Sequence, residues 1–122
     1  MVLQSLPTAC GWRLFKIEGQ LDFTGVPTVQ TALSYVANRD GCNLLIDLED
    51  VKTADEKGVA GLVGAVRRLL ADHPRMHVAF VAGHDWLADS LKQGELAPRT
   101  ALYHDGETAL KSITVSPTRR AA

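Results

Sequence analysis

The chain has 122 residues, with 13 Lys and Arg against 14 Asp and Glu and a formal net charge of −1. Hydrophobic residues make up 46% and charged residues 22%, the composition of a globular domain and not of a disordered chain. A nucleic-acid binder working through a broad basic surface is excluded by the missing cationic excess, and the length suits one domain with one core.

In chain order, Val2 to Leu6 forms a weak strand ended by Pro7. Trp12 to Glu18 is rich in aromatic and apolar residues and stops at Gly19, so it is expected to be a strand pairing with the first as a hairpin. Leu14, Phe15 and Ile17 break strict alternation, which implies burial on both faces or a bulge. From Val26 to Ala37 the period becomes helical, with Val29, Ala32, Leu33 and Val36 at i, i+3, i+4 and i+7. Thr24 is placed to cap this helix and Pro27 suits its first turn. Asn38 to Gly41 ends it.

Asn43 to Leu48 is a short apolar run, the pattern of a buried parallel strand. Glu49 to Ala54 is expected to be a loop. The longest helix opens near Asp55, its cap, with Val59, Leu62, Val63, Val66, Leu69 and Leu70 as the buried stripe. Gly58, Gly61 and Gly64 interrupt it. Each costs up to about 1 kcal/mol against alanine, so close backbone approach is expected there. His77 to Gly83 is the next strand. Asp85 opens a helix to about Gln93, with Leu87 and Leu91 inward. Ala101 to Tyr103 is a last short strand, and Asp105-Gly106 starts a helix with Ala109, Leu110 and Ile113.

The order β-β-α-β-α-β-α-β-α implies right-handed crossovers and a mixed, mostly parallel sheet of about five strands with about four helices. So little material suggests a sheet covered mainly on one side. Residues 1–114 form the expected single domain, and 115–122 a flexible tail.

No run of about 18 apolar residues is present, so no membrane insertion is expected. Met1 to Cys10 lacks the basic start and apolar run of a secretory signal. Cys10 and Cys42 form no metal spacing and are expected as free thiols in a reducing cytoplasm. The histidines His73, His77, His84 and His104 share no i, i+4 spacing, so no metal site is expected. There is no G-x-S-x-G elbow and no phosphate-binding G-x-x-x-x-G-K-[ST] loop. The residues point to no catalytic group and no cofactor.

Specific words then meet this element order. Ile17-Glu-Gly-Gln-Leu-Asp22 resembles the opening of STAS domains, and Leu44-Leu-Ile-Asp-Leu-Glu-Asp-Val51 resembles their central strand. Asp55-Glu-Lys-Gly-Val59 lies where that family carries Asp-Ser/Thr-x-Gly-hydrophobic. Tyr103 to Leu110 is similar to the closing strand and helix. The match runs from about Leu14 to Ile113, nearly the whole chain.

The resemblance implies a STAS-like α/β fold and a non-enzymatic, cytoplasmic, bacterial protein-binding module. The family includes anti-sigma factor antagonists, stressosome components, cytoplasmic domains of anion transporters and a subunit of bacterial phospholipid-transport complexes. In the antagonists a hydroxyl at the start of the helix after the central strand is phosphorylated by the partner kinase. A phosphate there suits the helix dipole but adds about −2 charge to a docking surface.

This chain carries Glu56 and Lys57 at those two positions, and neither accepts a phosphate ester. Glu56 then imitates a permanent phosphate, or the module binds constitutively, or control passes to another hydroxyl such as Thr53 or Thr24. The constitutive module is preferred. The resemblance places the partner-binding surface at Asp22, Phe23, Thr24, Asp55, Glu56, Lys57, Gly58 and Val59. The expected partner is a kinase-type anti-sigma factor or similar regulator. The alternative is an ABC-type lipid transport complex, with this chain docking on its ATPase. A homodimer stays open.

Overall fold

The computed structural model describes residues 2–7, 11–40, 43–93 and 100–112. Cys10, Cys42, Ile113 and the segment 115–122 lie outside the described residues.

Strand β1 (Val2–Pro7) runs antiparallel to β2 (Trp12–Leu21), with Leu6 opposite Leu14 and Val2 opposite Glu18. Strand β2 continues through Gly19, where the strand was expected to stop. Gly19 takes φ +92, and the register slips between Gly19 and Gln20. Burial on both faces accounts for the apolar run Leu14, Phe15 and Ile17, and the irregularity of β2 lies further on, at Gly19. Phe15, Ile17 and Leu21 face one core cluster, while Trp12 and Leu14 belong to a second on the opposite face.

A 3-10 turn (Phe23–Gly25) leads into helix α1 (Val26–Asp40), with Pro27 in its first turn. Strand β3 (Asn43–Asp47) pairs parallel with β2. The stretch expected as a loop contains a further strand, β4 (Val51–Ala54), parallel to the end of β2. It has only four residues and no apolar run, so its strand state depends on the partner across the ladder. Gly19 N–H also donates to the Asp50 carbonyl at 3.0 Å. Among the described residues the sheet thus has six strands, one more than expected.

Helix α2 (Glu56–Asp72) crosses to β5 (Val78–Val81), and helix α3 (Asp85–Gln93) precedes β6 (Thr100–Tyr103). A final helix, α4, occupies residues 106–112. The order is β1-β2-β3-β5-β6, with β4 on β2, and among the described strands only the β1–β2 pairing is antiparallel.

The main core lies between α1, α2, α3 and one sheet face. Val29, Leu33, Leu62, Val66, Leu87 and Leu91 meet Phe15, Ile17, Ile46 and Phe80 there. All six residues of the expected α2 stripe are buried. The opposite face is not left open. Ala109 of α4 is buried with Trp12, Leu45, Ala79 and Val81. Apolar residues on both faces of β3 and β5 require that second cover.

Candidate functional site

The site is built where β2 and β4 end side by side. Leu21 pairs with Ala54, and the Asp55 N–H donates to the Leu21 carbonyl at 3.1 Å. Each chain then turns into a helical segment under an aspartate cap. The Asp22 Oδ1 accepts from the Gly25 N–H at 3.1 Å, and the Asp55 Oδ1 accepts from the Gly58 N–H at 2.6 Å. Asp105 repeats the device on α4, accepting from the Thr108 N–H at 2.7 Å. In each case a short acidic side chain satisfies an amide that the first helical turn leaves unpaired.

Thr24 is not the cap expected from sequence. It lies inside the 3-10 turn, and its hydroxyl donates to the Asp22 Oδ1 at 2.6 Å. Asp22 wins the capping role because the helical geometry begins at Phe23, two residues earlier than a Thr24 cap would set it. The Thr24 hydroxyl, then the Gly25 N–H, hold the Asp22 carboxyl below its ordinary range. The Asp-x-x-Gly spacing shared by Asp22 and Asp55 was the signal for this in the sequence.

Gly58 sets the distance between the two turns. A methyl on its Cα would fall 2.7 Å from the Leu21 carbonyl carbon and 2.8 Å from the Asp22 Cα. Gly61 gives the same clearance to Val26, whose Cγ1 would lie 2.6 Å from an added methyl. Gly64 faces open space. Close approach therefore accounts for two of the three helix glycines.

The result is a small exposed surface. Phe23 is 63% exposed although it is large and apolar. The Lys57 Nζ lies 5.5 Å from the centre of its ring, within cation–π range. Asp22 is partly exposed, and Thr24, Asp55 and Glu56 are exposed around this pair. Gly58 and Val59 are buried beneath it. They hold the surface from below and do not present side chains on it. Thr53 is exposed on β4, opposite Gln20 in the ladder. The Phe23–Lys57 pairing is the relationship that sequence reasoning missed, because nothing at a separation of 34 positions signals it.

Beside the site, the Lys16 Nζ lies 2.8 Å from the Asp50 Oδ2 and 3.8 Å from the Glu18 Oε1. The hydrogen bond and charge of Asp50 raise the Lys16 amine above its ordinary value. This pair ties β2 to the turn entering β4. Among the described residues no group of three His, Cys, Asp or Glu is placed to hold a metal ion. The histidines are dispersed: His73 is 3.2 Å from the Asn38 Oδ1, and His84 stacks on Trp86. No helix among the described residues is long and apolar enough to cross a membrane.

The family model of the STAS domain matches residues 5–109. The chain belongs to the STAS domain family. No curated protein matches this STAS domain in sequence. Its fold is that of SpoIIAA, an anti-sigma factor antagonist solved in its unphosphorylated form. The TM-score is 0.68 at 15% identity, covering 93% of this chain and 99% of that one. RsbS of Moorella thermoacetica, solved as a serine-to-glutamate variant, gives 0.71 at 19% identity, covering 92% and 94%. The murine anion transporter Slc26a9 gives 0.70 at 14% identity, over 87% of this chain and 18% of that one. At these identities the likeness is one of fold.

Proposed function

We propose that this STAS domain is a non-enzymatic regulatory binding module that docks a protein partner on the Asp22–Thr24 turn and the Asp55–Lys57 end of α2. The observation that carries the reading is the exposed Phe23 ring under the Lys57 ammonium. A large apolar side chain at that exposure gains little for folding, whereas aromatic anchors dominate docking surfaces. The mixed charge around it, Asp55 and Glu56 beside Lys57, selects orientation and partner more than it adds affinity.

The partner class is a cytoplasmic kinase-type anti-sigma factor or a similar regulator. The likeness to SpoIIAA and RsbS supports this. The module binds constitutively. Glu56 and Lys57 occupy the first two positions of α2, where the family resemblance expects a phosphorylatable hydroxyl. Glu56 serves the positive end of the helix dipole.

The test is a titration of the purified domain with a kinase-type anti-sigma factor from the same cell, with and without ATP. A complex that forms equally in both conditions supports the constitutive module. An ATP-dependent loss of binding, with phosphate found on Thr53 or Thr24, overturns constitutive binding. No complex with any such kinase overturns the partner class, and capture by a transporter ATPase would replace it.

A further inference from the structure

Strand β1 ends the sheet, and among the described residues its outer edge has no neighbouring strand. An edge strand offers a row of free N–H and C=O groups, which proteins ordinarily guard with charge, a bulge or a covering element. Among the described residues none of these guards stands at β1. Its six residues include no charged side chain, and its pairing with β2 keeps one register from Val2 to Pro7. A groove of about 770 Å³, with Leu3, Ser5, Arg13 and Tyr35 among its lining residues, separates β1 from α1. That helix therefore does not close over the edge.

The side chains beside the edge are apolar where a solvated rim would be polar. Val2, Gln4 and Leu6 lie on the sheet face of Leu14. Ala109 of α4 packs further across that face, on Trp12, Leu45, Ala79 and Val81, and Val2 and Leu6 stay 52% and 48% exposed. Six large apolar side chains are exposed among the described residues, and three of them, Val2, Leu6 and Tyr35, flank β1. That concentration marks the edge as an interaction surface.

The order of residues along β1 decides the occupant. Turned antiparallel about Gln4, a second β1 places Val2 against Leu6 of the other copy, Leu3 against Ser5, and Gln4 against Gln4. Both exposed apolar side chains then meet apolar ones, and the Gln4 amides can hydrogen-bond to each other. A slip of one residue would set Val2 against Ser5 and Leu3 against Gln4, apolar on polar throughout. Such self-complementarity is what a two-fold interface requires. A net charge of −1 adds little repulsion between copies.

We propose that two copies of this chain join along β1, antiparallel about a two-fold axis at Gln4, to form one continuous sheet. The edge shares no residue with the Phe23–Lys57 surface, so failure of either reading leaves the other standing.

The test is sedimentation equilibrium of the full chain from micromolar to millimolar concentration, joined to NMR of a sample that mixes isotope-labelled and unlabelled chains. A monomer–dimer equilibrium is expected, with nuclear Overhauser contacts between the Val2 methyls of one copy and the Leu6 methyls of the other. Gln4 is exposed, so the fold accommodates either charge there. Gln4→Lys and Gln4→Glu should each weaken the dimer about fivefold, by setting like charges opposite one another. Mixing the two variants should restore it, which a misfolded variant would not do. A dimer that both variants leave unchanged, or that mixing does not rescue, overturns the proposal. So does a dimer whose intermolecular contacts lie elsewhere. A monomer at every concentration overturns it too, and leaves the edge to a strand of another protein.

Discussion

Gly58 on α2 lies against the backbone of Leu21 at the end of β2, with no room for a methyl group between them. That contact is why two segments more than 30 positions apart in the chain present one surface. The neighbouring atoms are backbone, so they cannot swing aside as a flexible side chain would. Gly58→Ala is expected to destabilise the fold by about 1–3 kcal/mol, the usual range for overpacking. Gly64→Ala, in open space on the same helix, should stabilise it by about 0.5–1 kcal/mol. Urea midpoints of the two variants should move in opposite directions. Movement the same way would sink the close-approach explanation.

Phe23→Ala should leave stability nearly unchanged, because the ring is already largely in water. Partner binding should fall at least about tenfold, as expected for an aromatic anchor. Lys57→Glu removes the cation over the ring and adds a third acid beside Asp55 and Glu56. It should weaken binding too, mainly by slowing association at low salt. Calorimetry and stopped-flow mixing check both. Unchanged affinity in both variants would move the interface elsewhere.

Asp55→Ala removes the acceptor for the Gly58 N–H and should cost about 1 kcal/mol of stability. Asp55→Asn keeps an acceptor and should recover most of it. The same pair of variants separates capping from charge in partner binding. Binding lost in both variants identifies the carboxylate itself as a contact.

Two local charges give opposite pH limbs. Asp22 is depressed by the Thr24 hydroxyl first and the Gly25 N–H second. The fold therefore binds protons less readily there than the unfolded chain. Its contribution is present above the ordinary carboxyl value of 3.8 and is lost as pH falls through the folded value. Lys16 is raised by the Asp50 hydrogen bond first. Its contribution is complete below 10.5 and is lost as pH rises through the folded value. Asp22→Asn should flatten the acid limb of urea midpoint against pH, and Lys16→Met the alkaline limb. An acid limb equally steep in Asp22→Asn would assign it to other carboxylates.

Long periodic segments were legible in the sequence. The α2 stripe from Val59 to Leu70 repeats at a helical period, and burial follows that period whatever the helix packs against. The runs ending in Asp47 and Val81 were equally plain, since strands covered on both faces must be apolar throughout. Strand β4 was not legible. Lys52 and Thr53 are polar and exposed, and only the ladder to Gln20 and Leu21 makes them strand. The Thr24 cap failed for a related reason, because Asp22 and Thr24 are both good caps and the 3-10 turn decided between them.

The near balance of 13 cations and 14 anions shows the same division. Sequence alone determined that no broad electrostatic surface exists, that the fold is α/β, and that an acid and a base stand at the start of α2. These follow from composition and from patterns that repeat within about one helical turn. Only the tertiary structure set Lys57 over Phe23, Lys16 on Asp50, and Arg13 beside an apolar groove. Those pairings depend on the register of β2 against its neighbours and on the close approach at Gly58. Both are fixed by packing between distant segments, which no local pattern encodes.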